Sequence, residues 1–108
     1  MNIQYKKGVL ELCVLSLLKK RDFYGYEISE YLSNLINIAD GTVYPILRKL
    51  KSEGLVSVYM QEESGGPPRK YYSLTNLGRE TYENERAEYL KFAQTVESLL
   101  EDDDNDKE

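Results

Sequence analysis

Residues 39–55 read ADGTVYPILRKLKSEGL, and the rest of the chain is organised around this stretch. Val43, Ile46, Leu47 and Leu50 recur at i, i+3, i+4 and i+7, the spacing of one apolar stripe on a helix. The opposite side of the wheel carries Tyr44, Pro45, Arg48, Lys49 and Ser52, with no acidic residue before Glu53. Asp40 is placed to cap the first turn, and Gly54 to end the helix in a left-handed conformation. Pro45 lacks a backbone donor, so it belongs within about the first turn and pins the helix start near Gly41–Thr42. A short helix with a hydroxyl-bearing start and a cationic outer face suits a DNA major groove. The same stretch also fits an ordinary amphipathic helix with a solvated basic side.

Just upstream, Ile28, Tyr31, Leu32, Leu35 and Ile36 define a second amphipathic helix over about 25–36, with Glu27 and Glu30 early in it, as the helix dipole prefers. Asn37-Ile38-Ala39 joins the two, and this pair forms a helix-turn-helix. Phe23 to Tyr26 read as an aromatic turn. From Gly8 to Leu18 nearly every residue is apolar, so that helix is buried on most sides, with part of its surface available to a second subunit. Residues 1–7 read as a loose start.

Downstream of Gly54 the period changes. Val56, Val58 and Met60 alternate with Ser57, Tyr59 and Gln61, the pattern of a strand. The Gly- and Pro-containing run from Glu62 to Pro68 interrupts it, and Arg69 to Leu74 resumes it. This β-hairpin after a helix-turn-helix is a wing, and Arg69 and Lys70 leave its tip where they can reach phosphates or a minor groove. A plain turn with a solvated edge, or a proline-rich peptide ligand, are the other readings of the tip.

Thr75 is a natural N-cap for a last helix. Tyr82, Tyr89 and Val96 step by seven, and Phe92 and Leu99 step by seven between them, a heptad-like seam. The small domain has little core left to cover this seam, so it is expected to meet a second copy, with Leu10 and Val14 of the first helix contributing. Folding back on its own domain is the other reading. Residues 101–108, EDDDNDKE, form an acidic tail expected to be disordered. The expected organisation is mainly α with a small β-hairpin: a winged helix-turn-helix over 1–75, a dimerisation helix over 76–100, and the tail.

At 108 residues and 41% hydrophobic content, the chain supports one domain with one modest core. No apolar run approaches the roughly 20 residues of a membrane span, and no signal peptide is visible, so a cytoplasmic location is expected. The single cysteine, Cys13, reads as a buried structural thiol. There is no histidine, no cysteine pair and no phosphate-binding glycine loop, so no catalytic residue, metal or cofactor is expected. The 19 acidic residues are enough to supply an acid–base pair, but they lie on solvent-type faces, and no enzyme is expected. The net charge of −5 is segregated: residues 1–75 hold ten Lys/Arg against eight Asp/Glu, and residues 76–108 hold four against eleven. The half with the candidate reading helix is thus mildly basic, and local fields govern binding.

Several of these segments together resemble the PadR family of bacterial transcriptional regulators. They are Gly8-Val9-Leu10-Glu11 with the leucine run, Tyr24-Gly25-Tyr26-Glu27-Ile28, and Gly41-Thr42-Val43-Tyr44-Pro45. Leu50 to Leu55, Gly66 to Tyr72, and Leu74-Thr75 with Gly78 follow in family order. The single C-terminal helix is similar to the compact subgroup. The resemblance implies a homodimeric repressor of promoters, often released by a small hydrophobic or phenolic effector. It implies that the Gly-Thr-Val-Tyr-Pro segment docks in the major groove of an operator, flanked by the wing. Some compact relatives hold flat drugs with an interface tryptophan; this chain has none.

The expected DNA-binding set is therefore Thr42, Tyr44, Pro45, Arg48, Lys49, Arg69 and Lys70. The expected dimer seam is Leu10, Val14, Tyr82, Tyr89, Phe92, Val96 and Leu99, with Tyr89 and Phe92 as effector walls. A winged-helix protein-interaction module without specific DNA binding is the competing function.

Overall fold

The stripe of Val43, Ile46, Leu47 and Leu50 is sealed in the core, at 1% exposure or less. The computed structural model describes residues 3–62 and 65–105. In chain order it comprises α1 (Ile3–Lys20), β1 (Phe23–Tyr24), α2 (Gly25–Leu35), α3 (Val43–Ser52), β2 (Val56–Gln61), β3 (Arg69–Leu74) and α4 (Asn76–Asn105). Leu15 and Val14 from α1 and Ile28 from α2 complete the centre, all at 1% exposure or less. Leu17, Leu18, Phe23 and Leu32 surround it, and Leu55, Val56, Tyr72 and Tyr82 close it on the sheet and α4 side. Among the described residues no helix is long and apolar enough to cross a membrane.

The wing is a three-stranded antiparallel sheet in the order β1-β3-β2. Val58 opposes Tyr72, and Gln61 opposes Arg69. The expected hairpin is there, and the segment read as an aromatic turn supplies the third strand, Phe23 opposite Tyr72 and Tyr24 opposite Tyr71. Two residues are too few to carry a period of two, which is why pairing with β3 was invisible in sequence. α1 starts at Ile3 rather than Gly8, since residues 3–7 contain no helix breaker before the apolar run.

Both ends of α3 differ in kind. Thr42, not Asp40, occupies the N-cap position, with no side-chain capping bond and an amide donating to the Ala39 carbonyl at 3.2 Å. Pro45 is the third helical residue, where the missing donor costs nothing. At the other end Gly54 sits at φ +78, its amide donating to Lys51 O at 3.0 Å and the Leu55 amide to Leu50 O at 2.9 Å. This pair of reversed bonds is a Schellman motif.

α4 begins where that motif ends. The Thr75 hydroxyl donates to the Gly54 carbonyl at 2.7 Å and accepts the Gly78 amide at 2.9 Å, which makes Thr75 the expected N-cap. The Thr75 amide donates to Leu55 O at 3.1 Å. α4 then runs 30 residues in a molecule 66 Å long. It continues past Leu100 to Asn105, because no Gly or Pro stops it after Gly78 and its backbone bonds propagate without tertiary support. The expected tail boundary at residue 100 is therefore absent, and residues 106–108 lie outside the described residues.

Gly78 is where α4 touches the α3 exit. A Cβ there would lie 2.0 Å from the Leu55 carbonyl oxygen and 2.9 Å from its carbon. The obstacle is backbone, so nothing flexible can yield. Gly78→Ala is expected to destabilise the fold by at least about 3 kcal/mol, the upper end of overpacking effects. Chemical denaturation checks it, with Arg79→Ala, on the exposed side of the same turn, changing little.

Candidate nucleic-acid interface

α3 packs by its apolar stripe and leaves a ridge of Tyr44, Pro45, Arg48 and Ser52 exposed. Along one flank of that ridge lies a concavity of about 400 Å³ lined by Tyr24, Gly25, Tyr26, Tyr44, Arg48, Arg69, Lys70 and Tyr72. Three elements that are distant in sequence meet there: the β1–α2 corner, the start of α3 and the first residues of β3. Four of the seven expected DNA-binding residues, Tyr44, Arg48, Arg69 and Lys70, therefore share one site. Among the described residues its lining has three cations and no carboxylate.

The corner makes this possible. Phe23 and Tyr24 are strand, and Gly25 is already helix, so the chain turns within one residue. The Glu27 carboxylate accepts the Tyr24 amide at 3.1 Å and holds the helix start. A Cβ on Gly25 would come within 3.1 Å of the Tyr44 ring, so the missing side chain lets that ring lie against α2. Tyr72 is buried at the floor, and burial pushes its phenol up, with Tyr44 adding to the effect and Arg48 opposing it. It stays protonated, a neutral floor under cationic walls.

Beyond Tyr44 the surface changes sign. Tyr26, Glu30, Asp40 and Gly41 line an adjoining hollow. Tyr26 is held above the ordinary phenol value by its hydrogen bond to Glu30 and by that carboxylate's charge. The positive region is thus bounded on the helix-start side by two acids. Thr42 is half-buried and Pro45 exposed, both outside the lining of the concavity.

Lys49 goes elsewhere. Its Nζ lies 2.6 Å from Oε1 of Glu11 on α1. That bond, then the charge of Glu11, holds the ammonium above its usual range. Glu85 of α4 faces the same pair: burial first, then Glu11, Glu88 and Glu53, push its carboxyl up, while Lys49 lowers it. Lys49, expected beside Arg48, lies outside the lining of the concavity. One step of 100° around the helix carries it off the concavity and toward α1.

The expected dimer seam divides as well. Leu10, Val14 and Tyr82 are 5%, 0% and 8% exposed, enclosed in the protomer's own core. Lys19 lies over the Tyr82 ring at 5.5 Å and pairs with Glu83, which closes α1 onto α4 there. These three are not available to a second copy, because one protomer already uses them. Further along α4, Tyr89 and Val96 are half-buried, and Phe92 and Leu99 are 53% and 63% exposed. Tyr89 also lines a largely apolar groove of about 320 Å³ between α1, α2 and α4, with Leu12, Leu17, Tyr31, Leu35 and Leu90. Phe92, its expected companion at an effector site, is not part of that lining. Cys13 borders the groove, half-buried, with its thiol pushed up by burial.

The site residues missed in sequence are Tyr24, Tyr26 and Tyr72. Their aromatic character was visible, but only the pairing of β1 with β3 brings them to α3.

Comparison with known proteins shows the family and the fold. The model of the Transcriptional regulator PadR-like family matches residues 14–84. An uncharacterised protein of Lysinibacillus sphaericus is 30% identical over 99 residues, covering 88% of this chain and 91% of that protein. The negative transcriptional regulator PadR of Bacillus subtilis is 30% identical over 76 residues, and the match covers 67% of this chain but only 42% of that longer regulator. Among solved structures, a PadR-like transcriptional regulator from Bacillus cereus superposes with a TM-score of 0.81 at 35% identity, covering 90% of this chain and 96% of that one. With a winged helix whose α3 and wing share one cationic concavity, the chain belongs to the PadR-like family of DNA-binding transcriptional regulators.

Proposed function

We propose that the chain is a homodimeric repressor whose two α3 helices read a pseudo-palindromic operator. The observation that carries this reading is the concavity itself: Arg48, Arg69 and Lys70 converge with Tyr44, and no carboxylate of the described residues shares the lining. Tyr44 and Arg48 face base edges from the α3 ridge, with Thr42 and Pro45 at its start. Arg69 and Lys70 hold the flanking backbone, where contacts position the protein without specifying sequence.

The dimer forms through the outer half of α4. Leu90, Phe92, Leu99 and Leu100 are each about half exposed or more, at 48%, 53%, 63% and 62%. With Tyr89 and Val96 they make a stripe that a second copy buries at about 25 cal/mol per Å² of apolar surface. Because α4 starts at the α3 exit, the dimer sets the spacing of the reading helices. A small hydrophobic effector lodged beside Tyr89 and Phe92 releases DNA if it prefers the non-binding spacing. The competing reading, a protein-interaction module, draws on the net charge of −5. A gel shift on the chain's own upstream region separates the two, since a module of that kind retards no DNA specifically.

Two outcomes are expected. Arg48→Ala costs roughly 1–3 kcal/mol of operator binding and relaxes specificity, whereas Lys49→Ala leaves the salt slope of binding unchanged. Titration at several salt concentrations reads both; a lowered slope for Lys49→Ala would return that residue to the interface. Separately, Val96→Asp yields monomers by light scattering and no gel shift. A fully dimeric variant would place the interface off this stripe.

A further inference from the structure

The wing carries a row of aromatic rings that begins at Tyr24 in the lining of the concavity and continues through Tyr71 and Tyr59, which the groove-facing reading leaves unused. Tyr24, Tyr71 and Tyr59 stand in register across β1, β3 and β2. Their centroids are 5.7 Å apart for Tyr24 and Tyr71, and 5.6 Å for Tyr71 and Tyr59. Tyr26 of α2 adds a ring stacked 6.4 Å from Tyr24. At the far end the Tyr59 hydroxyl donates to the Asp22 carboxylate at 2.7 Å. Asp22 immediately precedes β1, so this bond ties the two outer strands together across β3. It also holds the Tyr59 phenol above its ordinary value.

The row ends on a cation. The Arg69 guanidinium lies over the Tyr24 ring, 4.6 Å from its centroid. Strand geometry explains the contact. Arg69 precedes Tyr71 by two residues on the same face, and Tyr71 is paired with Tyr24. Arg69 is therefore the diagonal neighbour of Tyr24, a separation of about 7–8 Å that a long side chain spans. It follows a tip containing Gly65, Gly66, Pro67 and Pro68, where an arginine with no surface to lie on would sample many rotamers. Ordering such a chain on binding costs entropy, and a ring that orders it beforehand removes that cost.

We infer that the tyrosine row positions the wing: Tyr24, braced by Tyr71 and Tyr59, holds the Arg69 guanidinium at the mouth of the concavity for a backbone phosphate. Tyr24 is also the residue from which α2 starts, and Tyr44 packs on Gly25 next to it. The wing cation and the reading helix are thereby referenced to one corner of the chain. Tyr24, Tyr71 and Tyr59 are positioning residues in this account, acting through Arg69. The inference rests on the DNA-binding reading of the concavity.

The experiment uses the full chain and DNA from its own upstream region. In NMR spectra without DNA, the Arg69 side-chain protons are expected upfield of ordinary arginine values through the Tyr24 ring current, and at ordinary values in Tyr24→Leu. Tyr24→Leu is expected to weaken operator binding roughly two- to fivefold, the size of an exposed cation–π contact, and to lower the salt slope by about one. Tyr24→Phe restores both, and adding Arg69→Ala to Tyr24→Leu brings no further loss. A row that merely stabilises the sheet would change melting temperature without changing the slope. Unshifted Arg69 protons in the unaltered chain overturn the inference even if Tyr24→Leu fails to fold. So does an Arg69→Ala loss as large in Tyr24→Leu as in the unaltered chain. Intact operator binding with unshifted Arg69 defeats the tyrosine row alone; shifted Arg69 with no specific binding by any variant defeats the DNA reading, and the phosphate role of Arg69 with it.

Discussion

The peptide units around Leu55 fix where α3 stands. The Leu55 amide closes α3 by bonding to Leu50 O, and its carbonyl accepts the Thr75 amide that opens α4. Thr75 adds a second bond to Gly54 and caps α4, and Gly78 brings the α4 backbone onto the Leu55 carbonyl. The 19-residue wing excursion between Leu55 and Thr75 thus returns to the same point, so α3 and α4 share a joint where the Gly78 backbone meets the Leu55 carbonyl and the Thr75 hydroxyl bridges Gly54 and Gly78. Backbone contacts of this kind leave little slack, since packed interiors are bistable and not continuously deformable. The Lys49–Glu11 bond, with Glu85 facing it, adds a polar tie on the next turn of α3. It engages Lys49 of α3 with Glu11 of α1, outside the lining of the concavity.

Electrostatics in this chain is a matter of placement. A protein with a net charge of −5 gathers Arg48, Arg69 and Lys70 at one concavity that no carboxylate of the described residues lines, and puts nine of its 19 acids on α4. Glu30 and Asp40 border the positive region at the α3 start. Such a border narrows the range of orientations in which a polyanion approaches, because like-charge juxtaposition penalises the wrong ones. Average charge would have assigned the chain to a non-binding class; the field near α3 assigns it the other way.

Much of the fold was legible because certain residues admit few alternatives. Pro45 and Gly54 bracket α3 within a residue, Thr75 announces α4, and alternation from Val56 to Gln61 makes a strand. β1 was illegible, since two aromatic residues carry no period and only their pairing with β3 defines them. Of the site, Tyr44, Arg48, Arg69 and Lys70 followed from one helix face and one hairpin tip. The wheel could not tell that Lys49 would meet Glu11, 38 positions away. The seam was the harder problem. Apolarity marks Tyr82 and Phe92 alike, yet the first is 8% exposed and the second 53%, because only the first half of α4 has α1 to lie on. Sequence periodicity registers what wants to be buried, and the three-dimensional chain decides how much of it one protomer covers.

The central claim is that α3 and the wing, doubled by α4, read DNA one helical turn apart. Footprinting the full chain on its own upstream region tests it most directly. The account predicts two protected segments whose centres lie about 10–10.5 base pairs, or ~34–36 Å, apart, both lost together in Arg48→Ala. A single protected segment, or protection that survives Arg48→Ala intact, would contradict it.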